Sequence, residues 1–198
     1  MRFPALWHST RAREWAVALD TYDKVIDAQG VTSLPPHDLW YHGELPERIA
    51  SRSPAYLLRE ELVRITEWKM ARGVWRARNL GLVRGNASEL VESTTRTAFA
   101  LVPHPRTPIA RVAELAGVGP ATASAVLSAY APYTYPFFDE SVASQVPELG
   151  AVAFTLSYYA RYAAALRERA TALGGTWTPA RVERALWSNA GGKAGVVV

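Results

Sequence analysis

The 198-residue chain contains no cysteine. That excludes structural disulfides, thiolate zinc sites and any cysteine-ligated iron–sulfur cluster. Lysine is scarce: Lys24, Lys69 and Lys193 are the only ones, and the other basic side chains are arginines. Arginine forks match phosphate oxygens better than ammonium groups do, although a genome rich in G and C produces the same bias. No stretch approaches the length of an apolar membrane span. The first segment has no uninterrupted apolar run of the kind a secretory signal needs, because Arg11, Arg13, Glu14 and Asp20 break it up. These absences predict a cytoplasmic or nucleoid-associated protein with no membrane partner. The four histidines, His8, His37, His42 and His104, show no metal-ligand spacing, so no metal site is expected.

What is present suits a folded core. Apolar residues make up 49% of the chain and the formal net charge is +4, a weak pointer toward an anionic partner. Helical periodicity runs through most of the sequence and nothing reads as a sheet. The spacing predicts a helix over residues 9–28, capped by Ser9 or Thr10. A loop follows over 31–47, where Pro35, Pro36, Gly43 and Pro46 cluster. A second helix is predicted over 54–71, with Ser53 as its cap and Pro54 in its first turn. A third runs from about Val74 to Val83. A fourth covers 87–102, with Leu90, Val91, Thr94, Ala98 and Leu101 facing inward. Thr107-Pro108 opens a short helix through Leu115, and Pro120 starts another to about Tyr130. Residues 151–173 and 178–188 complete the set, and the tail from Gly191 reads as loose.

The informative stretch is Leu115-Ala116-Gly117-Val118-Gly119-Pro120-Ala121-Thr122-Ala123, with Asp139 twenty residues beyond Gly119. Two short helices meet at a turn holding two glycines. Such a turn can come close to a phosphate, and the second helix presents unpaired N–H groups and the positive end of its dipole. This device holds a nucleic-acid backbone without reading its sequence. An ordinary helix corner with a glycine cap has the same glycines. Asp139, after Pro136-Phe137-Phe138, is placed to cap the helix that follows it.

Taken together, residues 107–145 resemble the helix-hairpin-helix DNA glycosylase superfamily, including its endonuclease III and adenine-mismatch glycosylase branches. Leu115, Gly117, Val118, Gly119, Thr122 and Ala123 match that family's hairpin, and Pro136-Phe137-Phe138-Asp139 matches the approach to its catalytic aspartate. Ala116 stands where proline is usual. The resemblance implies an all-α fold of two helical lobes with an active-site cleft between them. Residues 50–133 would form a helical barrel ending in the hairpin, and residues 1–49 and 134–198 a second lobe carrying the aspartate. It also implies double-stranded DNA as partner, a monomer, and backbone contacts from Gly117, Val118, Gly119, Ala121 and Thr122. A monovalent cation on hairpin carbonyls is a further feature of such proteins.

An aspartate suits that chemistry. Breaking an N-glycosidic bond leaves positive charge on the sugar, which a fixed carboxylate can oppose while orienting a water. Glu140 and Glu148 rank below Asp139 as substitutes. Members that also cut the strand carry a lysine two residues after the second hairpin glycine. Here that residue is Ala121, so the resemblance implies hydrolysis alone, leaving an abasic site. Candidates for the pocket or for DNA contact are Tyr133, Tyr135 and Phe138 beside the aspartate, Trp40 and His42 in the early segment, and Trp68, Lys69, Arg72 and Arg76 in the densest mix of aromatic and basic residues. The base excised is open, and so is the setting, repair or defence against phages with modified DNA. A non-catalytic hairpin module that uses Asp139 only as a cap is the alternative.

Overall fold

The computed structural model describes residues 6–198. It is all-helical, with no strand among the described residues. After a 3-10 turn at Leu6–His8 come α1 (Ala12–Asp20), α2 (Tyr22–Asp27), α3 (Leu34–Leu39), α4 (Leu45–Ala50), α5 (Arg59–Arg72) and α6 (Ala77–Arg84). Then follow α7 (Ser88–Ala100), α8 (Thr107–Val112), α9 (Pro120–Tyr130), α10 (Glu140–Ala143), α11 (Leu156–Leu173) and α12 (Pro179–Ala190). The later helices lie close to their expected places, except that α11 starts at Leu156, after the Thr155 cap, rather than at 151.

The early segments differ from expectation in three places, each with a local cause. The helix expected over 9–28 is broken at Thr21, whose hydroxyl hydrogen-bonds the Ala18 carbonyl and meets Ser188 Oγ at 2.8 Å. Hydroxyl groups that bond nearby backbone in this way compete with helix continuation. Residues 31–47 are not a loop. Pro35 and Pro36 lie at the start of α3 and Pro46 at the start of α4, with a π-helical turn, Trp40–Glu44, between them. Proline in a first helical turn removes an N–H that has no intrahelical partner anyway, so this cluster opens helices. Finally, α5 begins at Arg59 rather than 54. Its N-terminus is set by the Glu61 carboxylate, which accepts from Leu58 N–H at 3.0 Å and pairs with Arg52.

Two smaller corrections concern faces and ends. On α7, Val91, Thr94 and Ala98 are buried as expected, joined by Thr95, while Leu90 and Leu101 are exposed. The tail is not loose at its base: the Gln29 amide donates to the Gly191 carbonyl and accepts from Ala194 N–H.

Helix α12 packs along α1, α2, α10 and α11, so the two ends of the chain meet. Helix α5 contacts α3, α6, α7 and α9. The buried apolar side chains form one continuous cluster, from Trp15 and Tyr22 through Leu62, Ile65 and Val126 to Tyr159 and Leu186. No helix among the described residues is long and apolar enough to cross a membrane.

Candidate active site

Helices α8 and α9 form a hairpin whose two glycines have different roles. Gly117 has φ +76°, and a Cβ there would lie 2.5 Å from the Asn79 carbonyl and 2.9 Å from Leu82 Cβ. Gly117 therefore lets the turn press against α6; its bare face is filled by protein. Asn86 secures the same contact, its amide bonding both Ala116 N–H and the Ala116 carbonyl at 3.0 Å. Gly119 is the open position: a Cβ there meets nothing within 4 Å. It precedes Pro120 at the start of α9, a terminus that carries no side-chain cap. Gly117→Ala is expected to destabilise the fold by about 2–4 kcal/mol, combining overpacking with a strained φ. Gly119→Ala is expected to change stability by less than about 0.5 kcal/mol. Urea unfolding of the two variants checks the contrast.

In the hairpin, the Leu115 and Ala116 carbonyls accept from Val118 N–H and the Asn86 amide. Among the described residues no group of histidine, aspartate and glutamate side chains could hold a metal.

Asp139 sits at the N-cap of α10, its Oδ1 accepting from Ser141 N–H at 2.8 Å. The extended segment before it is fixed from three sides. Ser124 Oγ of α9 accepts from Phe138 N–H, and the Tyr159 and Tyr162 hydroxyls of α11 donate to the Pro136 and Phe137 carbonyls. The other carboxylate oxygen, Oδ2, lies 3.5 Å from Arg72 Nε.

Arg72, at the last turn of α5, is only 1% exposed. It hydrogen-bonds Glu183 of α12 and rests over the Trp187 ring, 4.4 Å from its centroid. A buried guanidinium thus stands between two carboxylates contributed by distant parts of the chain. Burial pushes Glu183 up to about 7 despite Arg72, with Asp139 adding to the rise. Deeper in, Asp38 accepts from Trp68 Nε1 at 2.8 Å and from the Tyr22 hydroxyl at 2.9 Å, and burial raises its pKa as well.

A hollow of about 80 Å³ opens beside Asp139, lined among others by Lys69, Arg72, Arg76, Phe138, Phe154 and Lys193. A second, of about 230 Å³, lies at the hairpin beside Gly117, Gly119, Ala121 and Thr122. The two share Lys69, Arg76 and Phe154, so the hollow beside the carboxylate and the hollow at the hairpin adjoin each other. Burial holds the Lys69 ammonium below its ordinary pKa, Arg76 adds to this, and Asp139 opposes it. Val74, Trp75 and Phe154 are each about half exposed. Val74 and Phe154 line the Asp139 hollow, and Trp75 stands between Val74 and Arg76.

Of the pocket candidates named from the sequence, Phe138, Lys69, Arg72 and Arg76 line the Asp139 hollow. The rest lie elsewhere. Trp68 is fully buried and stacks on Tyr41 at 3.7 Å. Trp40 is buried beneath the Arg64 guanidinium. Tyr135 is buried with its hydroxyl on the His104 carbonyl. Tyr133 and His42 line a different cavity. Glu140 lines the hollow next to Asp139, whereas Glu148 is bonded to the Trp7 indole. Sequence reasoning missed Trp75, Phe154, Glu183 and Lys193. Trp75 lies inside the aromatic and basic run and was within reach of it; the other three approach only through tertiary packing.

Comparison with protein-family models, with curated proteins and with solved structures gives no match.

Proposed function

We propose that the chain is a DNA glycosylase that hydrolyses the N-glycosidic bond of a base turned out of the duplex, using Asp139. The observation that carries this reading is the adjacency just described: a fixed carboxylate and an uncapped hairpin helix stand at adjoining hollows that share Lys69 and Arg76. Duplex phosphate would lie on the N–H groups at Gly119, Ala121 and Thr122, where helix-end donors and dipole favour an anion. Trp75 is suited to fill the gap left by the extruded base, as inserted apolar side chains do in other DNA complexes. The sugar would then face Asp139, whose charge opposes the oxocarbenium-like transition state and whose oxygens orient the attacking water.

The hollow beside Asp139 favours a second reading. At about 80 Å³ it holds a few waters, at roughly 30 Å³ each, but not a nucleobase unless rim side chains such as Phe154 and Lys193 turn aside. A hairpin module that binds DNA without chemistry needs no such movement. Incubation with a panel of duplexes carrying alkylated, deaminated, mismatched and hypermodified bases, followed by alkali, separates the two. Strand breaks at one class of base, appearing only after alkali, support the glycosylase. Binding with no alkali-labile site on any substrate leaves the binding module.

Under either reading, Gly119→Asp is expected to weaken binding to every duplex sequence by about tenfold or more at low salt, because it sets a negative charge where phosphate sits. The side chain enters open space, so folding survives. Unchanged affinity, measured by fluorescence anisotropy on folded variant, would remove the hairpin from the DNA interface.

A further inference from the structure

A larger cavity, of about 680 Å³, lies away from Asp139 and shares no lining residue with either of those hollows. It is bounded by the end of α9, the π-helical turn and the start of α12. Its polar wall is Arg181 and Arg184, and no carboxylate lines it. At about 100° per residue, Arg184 and Arg181 project roughly 100° and 160° around α12 from Glu183. One helix therefore serves the Asp139 site with one face and this cavity with another.

Two features point to an occupant. The Arg181 guanidinium lies over the Trp177 ring at 5.5 Å and that of Arg184 over the Tyr22 ring at 5.6 Å. A guanidinium resting on a ring keeps its donor edge for another partner. Tyr133 and Trp177 supply flat apolar walls, and the Tyr133 side chain is 79% exposed although the cavity stands beside it. Asp38 and Glu183 do not line the cavity: Asp38 is engaged by Trp68 and Tyr22 and lies 3.7 Å from His42, and Glu183 is held by Arg72. His42, which lines the cavity, stays uncharged near neutrality, since enclosure and the neighbouring Arg184 and Arg72 charges push its pKa down.

We propose that this cavity binds a nucleotide unit, its phosphate held by Arg181 and Arg184 and its base against Tyr133 and Trp177. A ligand that is both flat and anionic matches both walls, and paired arginine forks select phosphate. The site stands apart from the glycosylase reading and does not depend on it. Free 5′-mononucleotide and the phosphorylated 5′ end of a DNA strand present the same chemistry.

Calorimetric titration with dAMP, deoxyadenosine and short single strands with and without a 5′-phosphate tests the proposal. The expected result is that dAMP binds and that deoxyadenosine binds at least about tenfold more weakly. Arg181→Ala combined with Arg184→Ala should lower dAMP affinity at least tenfold, while Asp139→Asn leaves it unchanged. A phosphorylated strand that competes with dAMP identifies a strand end as ligand; one that does not identifies the free nucleotide. Tyr133→Ala, a change at an exposed position, should lower dAMP affinity even if the double variant folds poorly. No binding of dAMP to the folded wild type, equal binding of deoxyadenosine, or indifference to both Tyr133→Ala and the folded arginine variant overturns it.

Discussion

Asp139→Asn is expected to lower base release by about a hundred- to ten-thousand-fold, the usual range for removing a positioned acid–base group, while DNA affinity stays within a few-fold of wild type. Asparagine keeps the shape and can still accept from Ser141 N–H, so the α10 cap survives. What goes is the charge that opposes the sugar cation and the base that can take a proton from water. Single-turnover kinetics on the substrate found in the duplex panel, with binding measured in parallel, checks the split. A fully active variant would remove Asp139 from the mechanism. The wild-type product should be an abasic site in an unbroken strand. Borohydride should trap no covalent complex, since the hairpin residue is Ala121. Lys69 is the amine to watch, because it lines the hollow and its ordinary pKa is lowered there. A trapped complex that disappears in Lys69→Ala would overturn hydrolysis as the sole chemistry.

The largest effect on stability is expected from Arg72→Ala, at about 3–5 kcal/mol, because it leaves Glu183 buried without its counter-charge. For a chain of this size that lowers Tm by roughly 10–15 °C. Arg72→Met combined with Glu183→Leu should recover most of the loss, since replacing a buried pair by apolar residues is often neutral. Thermal and urea unfolding of the single and double variants measures the coupling. A sign follows for pH. Glu183 is pushed up from 4.5 to about 7, so folding takes up a proton there. Stability contributed by this residue is present below 4.5 and is lost as pH rises to 7. Glu183→Gln should flatten the stability profile in that window; an unchanged slope would show that Glu183 is ionised throughout it.

Most helix positions from α6 onward were legible because they rest on local signals: prolines in first turns, glycines after last turns, and apolar residues recurring at helical spacing. The hairpin and the capping role of Asp139 were legible for the same reason, since spacing along one short segment sets both. Residues 31–47 misled because proline clusters look alike whether they end a helix or begin one. Only the burial of Leu34, Trp40, Tyr41 and Leu45 in the core decides between the two. Gly117 has a packing role that its sequence context does not reveal: a Cβ there would meet the Asn79 carbonyl. Glu183 was out of reach because its partner is 111 residues away, and no periodicity within α12 distinguishes it from a solvated glutamate.

That separation also bears on how the molecule comes off the ribosome. At about 5–20 residues per second, Glu183 is made roughly 6–20 s after Arg72. Through that interval the guanidinium lacks its main counter-charge and the Trp187 face that it rests on. The carboxylate geometry around Asp139 is completed last, so a translation product cut short before α12 carries the hairpin without the finished site.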